Sequence, residues 1–351
     1  MTWHEPSPRP RIATSSGLAD PACGVRRVAA NQLTRATRFG PMCAVPPSRR
    51  VEPVFGKMHA DELDIDASLV RRLVASQFPQ WADLDVEPVD SSGTDNAIYR
   101  LGDDLAVRLP RRYSPTAQVE RDMRWLPTLA PLLPVPIPVP LAKGEPGEGY
   151  PMPWSVVRWL EGEHPVPGRL TDPSLLAKDL AEFVAAFRSI DLPDGPPAYR
   201  GGPLAEQDAA TRRAIEQLEG VIDTDAVTAA WEEALRAPDW DGPPVWVHAD
   251  LMPGNLLVSG GRLRAVIDFG TTGVGDPACD VIVAWKVLPA GVREEFRTAL
   301  QLDDATWARA RGKALSIALI ALPYYQDTNP VMANGARHTI NEVLAEHAAT
   351  R

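Results

Sequence analysis

The stretch Val245–Val258, VWVHADLMPGNLLV, sets an aspartate and an asparagine five positions apart across a Pro-Gly turn, between two apolar runs. Val245–Val247 and Leu256–Val258 have the composition of short buried strands, and Pro253-Gly254 punctuates the chain between them. A loop clamped at both ends by strands has a fixed backbone, while its side chains remain able to face a cleft. The following residues, NLLVSGGRLRAVIDFG, read as a hairpin in which Leu256–Val258 pairs through Ser259-Gly260-Gly261 with Leu263–Ile267. That hairpin delivers Asp268 beside Asn255. One short piece of chain thereby gathers Asp250, Asn255 and Asp268.

Carboxylate and amide oxygens suit Mg2+, a hard cation usually held by one or two carboxylates together with substrate phosphates. The order His248-x-Asp250, then Asn255, then Asp268-Phe269-Gly270 matches the template of phosphoryl transfer. In it the first aspartate takes the hydroxyl proton, and the asparagine and second aspartate hold metal. Taken singly, Asp250 reads equally as a turn former and Asn255 as a strand cap, and Asp-Phe-Gly alone carries little. The signal is the ordered set with a hairpin-length gap. His248 reads as a buried brace for the loop rather than a proton shuttle. Other chemistries lack their residues. There is no His/Cys cluster for zinc, Gly270 stands where an aspartyl phosphatase would place its second carboxylate, and no G-x-x-x-x-G-K-[ST] occurs.

On VHADLMPGNLLV and VIDFGTTGVGDPACDV, the chain resembles the aminoglycoside phosphotransferase family, small-molecule relatives of protein kinases. The resemblance runs from about residue 60 to the C-terminus. It implies a bilobal α+β fold like that of protein kinases, with a small antiparallel-sheet N-lobe and a larger, mainly helical C-lobe. It also implies ATP or GTP as phosphate donor, Mg2+, a small-molecule hydroxyl as acceptor, and Asp250 as base. Only DFGTTGVGDP separates Asp268 from Pro277, too short for a regulatory activation segment, which argues against a protein kinase.

The N-terminal part carries the pattern of such a sheet. VDSSGTDNAIYRLGDDLAVRLPRR reads as strand, polar turn, strand, Gly-Asp-Asp turn, strand. Ser92, Gly93 and Thr94 lie at a strand-strand turn, where backbone amides can cradle phosphate, although an ordinary hairpin would look the same. Two strands on, Arg108 occupies the place where kinases carry a phosphate-binding lysine. A planar, permanently charged fork replaces a point charge there. Asp122 shares the inward face of the following helix with Val119 and Leu126 and takes the place of the family's pairing glutamate, with Glu120 the alternative. Arg158, Trp159 and Leu160 fall where the chain crosses between lobes, so their backbone is expected to meet the purine. Trp159 is read equally well as interface packing.

Elsewhere DASLVRRLVASQF, behind Asp66 as N-cap, is amphipathic, and a helix is expected from about Pro115 to Leu129. The run PLLPVPIPVP must be extended, because proline removes an amide donor and clashes with the preceding turn. After a buried strand at Trp154–Val157 the pattern turns helical. It includes SLLAKDLAEFVAAFRSI, segments near 205–219 and 226–236, and the chain from about 292 onward. The expected division is a basic, disordered extension over 1–57, an N-lobe over 58–160 and a C-lobe over 161–351. Met58 suits a translation start, which would make the extension dispensable.

Of 351 residues, 44% are hydrophobic and 23% charged, as in ordinary soluble proteins. The longest apolar stretch, Ala314–Leu322, falls well short of the roughly 20 residues a bilayer requires. Three scattered cysteines suit a reducing cytoplasm. Residues 1–57 hold nine Lys/Arg against three Asp/Glu, leaving 27 against 43 in the rest. An acidic body argues against nucleic acid and favours cationic partners. Asp276 and Asp280 in GDPACD are read as braces for the catalytic loop, with Asp276 alternatively facing the acceptor. With Glu161, Glu163 and Asp276 expected near the cleft, a polycationic aminosugar is one candidate acceptor. Macrolides, choline, homoserine and other sugars stay open, as does a catalytically idle nucleotide-binding protein, for which Arg108 is the one argument.

Overall fold

The computed structural model describes residues 62–89, 95–112, 118–192 and 194–349. Helix α1 (Ala67–Gln77) begins where the Asp66 carboxylate accepts from the Leu69 amide at 2.7 Å, satisfying one of the helix's orphan donors. Its expected face, Leu69, Val70, Leu73 and Val74, is buried. Strands β1 (Val86–Pro88), β2 (Asn96–Leu101) and β3 (Leu105–Pro110) precede α2 (Gln118–Leu129), and β4 (Pro140–Gly144) and β5 (Trp154–Arg158) complete one sheet. Its order is β1-β2-β3-β5-β4, antiparallel throughout. In β2 alternate residues Ala97, Tyr99 and Leu101 point inward, the period of a strand with one covered face. Central β3 is buried from Ala106 to Leu109, Arg108 included.

The proline-rich run is not helical beyond a single 3-10 turn at Ala130–Leu132, and its last residue opens β4. That strand shows no alternation of burial, which is why the sequence pattern passed over it.

The remaining elements are α3 (Pro173–Arg188), α4 (Asp208–Gln217), α5 (Thr224–Ala234), β6 (Val245–Val247), β7 (Leu256–Ser259), β8 (Arg262–Val266), β9 (Gly273–Gly275), α6 (Ala278–Val281), α7 (Val283–Lys286), α8 (Ala290–Ala299), α9 (Asp304–Tyr325) and α10 (Pro330–Ala349). Helix α3 is capped by Asp172, which accepts from Leu175 at 2.9 Å, and buries Leu176, Leu180, Phe183, Val184 and Phe187. Strands β9 and helices α6 and α7, each three or four residues long, are too short to leave a periodic signal.

Two large cores result, with a small third cluster of Ala198, Val247, Ala249 and Cys279. A smaller one joins α1 to the sheet through Leu73, Leu101, Leu109 and Trp154. A larger one fills the helical part around Phe183, Trp231, Trp285 and Leu315, and takes in Leu126 and Leu129 from the end of α2. The architecture is the α+β, bilobal one that the sequence implies.

The hairpin differs from expectation in detail. Ser259 pairs with Arg262, so the turn is only Gly260-Gly261, and β8 ends at Val266 rather than Ile267. Both turn glycines have positive φ, +59° and +78°, as a two-residue hairpin turn matching the twist of its strands requires. Gly162 lets the interlobe connection settle on this hairpin, since a Cβ there would lie 2.8 Å from Cβ of Leu257. Next to it, Glu163 and Val258 exchange two backbone hydrogen bonds of 2.9 and 2.8 Å.

Candidate active site

The loop between β6 and β7 carries His248, Asp250 and Asn255. Ala249 adopts φ +65°, a conformation costly for a residue with a Cβ, so the surroundings must over-determine it. Asp280 in α6 does so, its two oxygens accepting from the amides of His248 and Ala249 at 2.9 and 2.8 Å. Thr271 and Thr272 donate to the carbonyls of His248 and Val247, each at 2.8 Å. His248 is fully buried. Its Nδ1 lies 3.3 Å from the Asp250 amide nitrogen, and its Nε2 faces the Ile267 carbonyl at 3.0 Å. This is the bracing role expected of it. Burial raises the Asp280 pKa, opposed by His248 and the two amides.

Asp250 and Asn255 meet as the sequence implied. Asn255 Nδ2 donates to the Asp250 carbonyl at 2.9 Å and to Asp250 Oδ2 at 3.1 Å, which turns its Oδ1 away from the aspartate. The Ile267 amide donates to the Asn255 carbonyl at 2.9 Å, so Asp268 follows a residue tied directly to Asn255. Asp268 itself has φ +62° and a side chain that is 41% exposed. Phe269 is buried and packs edge-on against the His248 ring, 4.7 Å between centroids.

Arg108 links the sheet to this loop. Its Nη1 lies 3.3 Å from Asp122 Oδ2 and its Nη2 3.6 Å from Asp268 Oδ1. Arg108 and Asp122 are both buried, so the pair is no surface ion pair. The alternative, Glu120, points elsewhere and pairs with Lys143 at 3.0 Å. Burial pushes the Asp122 pKa up to about 6, Arg108 opposing and Asp268 adding to the rise. Arg121 donates to the Gly270 carbonyl at 3.0 Å, a second tie between α2 and the Asp268 segment.

Other expectations need correction. The Trp159 amide donates to the Asp104 carbonyl at 2.7 Å, extending the β3–β5 pairing, so this N–H is not free to meet a purine. Its ring lies under the Arg100 guanidinium, 4.6 Å from the centroid. Arg158 ends β5 opposite Leu105 with an exposed side chain, and Leu160 is half-buried in the connection that follows. Asp276 does not face an acceptor. It is buried against Arg309, at 3.0 and 3.3 Å, and caps the Ala278 amide at 2.9 Å. Glu161 is exposed and engages Arg100 at 3.1 Å. Ser92, Gly93 and Thr94 lie outside the described residues, as do residues 1–57.

One residue was missed. Lys286, at the end of α7, is buried and places its Nζ 3.8 Å from Asp250 Oδ1. The available signal was a lone lysine inside the apolar run VIVAWKVL.

Among the described residues no group of three or more His, Cys, Asp or Glu side chains is placed to hold a metal ion. Asn255 and Asp268 offer amide and carboxylate oxygens only, a donor set that fits a hard cation completing its shell with water and phosphate oxygens.

The sequence profile of the Phosphotransferase enzyme family matches residues 86–315, well over half of the chain. The chain belongs to this family. It is accordingly a small-molecule kinase. No curated protein matches it significantly. Among solved structures it is similar to the GDP complex of wild-type aminoglycoside 2'-phosphotransferase-IIIa, with a TM-score of 0.63, 17% identity, and coverage of 81% of this chain and 100% of that one. It is also similar to the macrolide 2'-phosphotransferase of Brachybacterium faecium, solved as the apoenzyme, with a TM-score of 0.54, 22% identity, and coverage of 79% and 98%. At these identities the likeness speaks for the fold. Within the family's matched span lie Arg108, Asp122, Asp250, Asn255, Asp268 and Lys286.

Proposed function

We propose that this phosphotransferase moves the γ-phosphoryl group of ATP or GTP to a hydroxyl of a small molecule, with Asp250 as the base. The observation that carries the reading is the contact of Asp250 with Asn255 on one braced loop, tied through the Ile267 amide to the segment that carries Asp268, with Arg108 reaching Asp268 from the sheet. Asp250 takes the acceptor's proton as its oxygen attacks phosphorus and the bond to the β-phosphate oxygen breaks. Asn255 and Asp268 would hold Mg2+, which supplies charge neutralisation on the β- and γ-phosphates. Arg108, fixed between two carboxylates, is aimed along one line and contributes cationic charge on the nucleotide side. Ser92–Thr94 are assigned to the phosphate-covering turn. Leu160 and the carbonyl side of Arg158–Trp159 are assigned to the purine's surroundings. Residues 58–160 form the nucleotide lobe and 161–351 the acceptor lobe. Catalysis of this kind rests on positioning and on electrostatics prepared in advance.

The acceptor is assigned to the class of hydroxylated small-molecule antibiotics. The aminoglycoside and macrolide enzymes of similar fold support this. Polycation recognition loses part of its support because Asp276 is spent on Arg309, so a macrolide stands level with an aminosugar. A helix long and apolar enough to cross a membrane is absent among the described residues, and we place the enzyme in the reducing cytoplasm.

The test is transfer from Mg-ATP and Mg-GTP across kanamycin, gentamicin, a macrolide, choline and homoserine. Turnover of any separates an enzyme from an idle nucleotide-binding protein. Asp250→Ala should lower turnover by about 10²–10⁴-fold while leaving nucleotide affinity within twofold. Undiminished turnover in that variant refutes the base assignment.

A further inference from the structure

Lys286 is a buried cation that the roles above do not use. It closes the four-residue helix α7, whose other members, Val283, Ala284 and Trp285, are completely buried, and it retains only 9% exposure itself. An ammonium withdrawn from water is expensive unless a partner compensates it. The carboxylate placed to do so is Asp250, with Nζ 3.8 Å from Oδ1. Charges on the helices around α7 are engaged with one another. Arg293 of α8 meets Glu342 and Glu346 of α10, Arg309 of α9 meets Asp276, and Lys313 of α9 donates to the carbonyls of Arg200 and Gly202. Asp280 of α6 is committed to two loop amides. Arg200 is the further charge acting on Lys286, and it is of like sign.

The geometry around the aspartate is two-sided. Asn255 Nδ2 lies 3.1 Å from Oδ2, and Lys286 approaches the other oxygen, Oδ1. Between Asp250 and Asn255 the loop residues Leu251, Met252, Pro253 and Gly254 provide no cation. A helix 30 and more positions later therefore supplies the charge. Resting on the assignment of Asp250 as base, we propose that Lys286 is a positioning residue for phosphoryl transfer, holding the Asp250 carboxylate aimed at the acceptor hydroxyl. Burial lowers the lysine pKa, with Asp250 opposing the fall and Arg200 adding to it.

The experiment compares Lys286→Met, Lys286→Gln and Lys286→Arg with the parent enzyme and with Asp250→Asn. Turnover is followed with kanamycin, a macrolide and water as acceptors, using whichever reacts fastest. Loss of the cation should cut kcat by about 10–10²-fold, the scale of a small misplacement of a reacting group, with the nucleotide KM within twofold. Lys286→Arg should restore most of kcat. Asp250 keeps contact with water, its side chain being 25% exposed, so the neutral variants are expected to fold; nucleotide affinity checks each one. If both neutral variants bind nucleotide yet show kcat within twofold of the parent, the proposal is wrong. If neither binds nucleotide, Lys286 is a packing residue and the proposal is equally overturned. If Asp250→Asn retains turnover, the base reading falls instead, and the two failures are distinct.

Discussion

At the scale of single residues, the site is a set of charges whose states depend on their neighbours. Asp122 shows this most directly. Its carboxyl is buried beside Arg108, and burial outweighs the guanidinium enough to raise its pKa from 3.8 to about 6. A folded-state pKa above the unfolded value means that the native protein binds the proton more tightly. The resulting stabilisation is complete below about pH 4 and is lost as pH rises through 6. At roughly 1.4 kcal/mol per pKa unit the effect amounts to a few kcal/mol. Asp122→Asn should flatten the urea-unfolding stability of the metal-free enzyme between pH 4 and 6.5, whatever it does to absolute stability. A slope identical to that of the parent would show that Asp122 does not titrate there.

Elements carry the next level of constraint, and short ones carry most of it. Strand β9 is three residues long, yet it is clasped on both sides, pairing with β6 on one edge and with the chain at Pro196–Ala198 on the other. A Cβ on Gly273 would sit 2.2 Å from the Pro196 carbonyl oxygen, and backbone on both sides leaves nothing flexible to yield. Because Thr271 and Thr272, which hold the loop carbonyls, directly precede β9, a shift there reaches Asp250. Gly273→Ala should therefore lower stability by about 2–4 kcal/mol and turnover severalfold, read by thermal unfolding and initial rates. Gly291→Ala is the control. Nothing lies within 4 Å of that Cβ, and alanine improves a helix position by about 0.5–1 kcal/mol. Equal stability of the two variants would remove the argument.

For the whole molecule, the larger core takes in the loop-and-hairpin unit through Leu251, Leu256, Leu263 and Val266, and the matched family span begins inside the small sheet at residue 86. The described fold starts at residue 62. A chain beginning at Met58 should keep the thermal midpoint within about 2 °C, roughly 1 kcal/mol for a protein of this size, and turnover within twofold. A larger loss of either would give the first 57 residues a part in the fold.

What the sequence determined by itself was everything governed by local order along the chain. The positions of α1 and α3 follow from 3.6-residue periodicity, α1 behind Asp66. The β7–β8 hairpin follows from its Gly-Gly turn, and the grouping of Asp250, Asn255 and Asp268 follows because a hairpin returns its two ends to one place. Arg108 and Asp122 were legible through the family resemblance, Asp122 also through the inward face of α2. Only the tertiary structure decided which distant groups complete the site. It brought Lys286 to Asp250, set Asp276 against Arg309, and closed the Trp159 amide onto Asp104. The physical reason is that periodicity records whether a side chain is buried, not what it meets there. In helices of a single turn even that record is lost, and partners some thirty residues apart are chosen by packing alone.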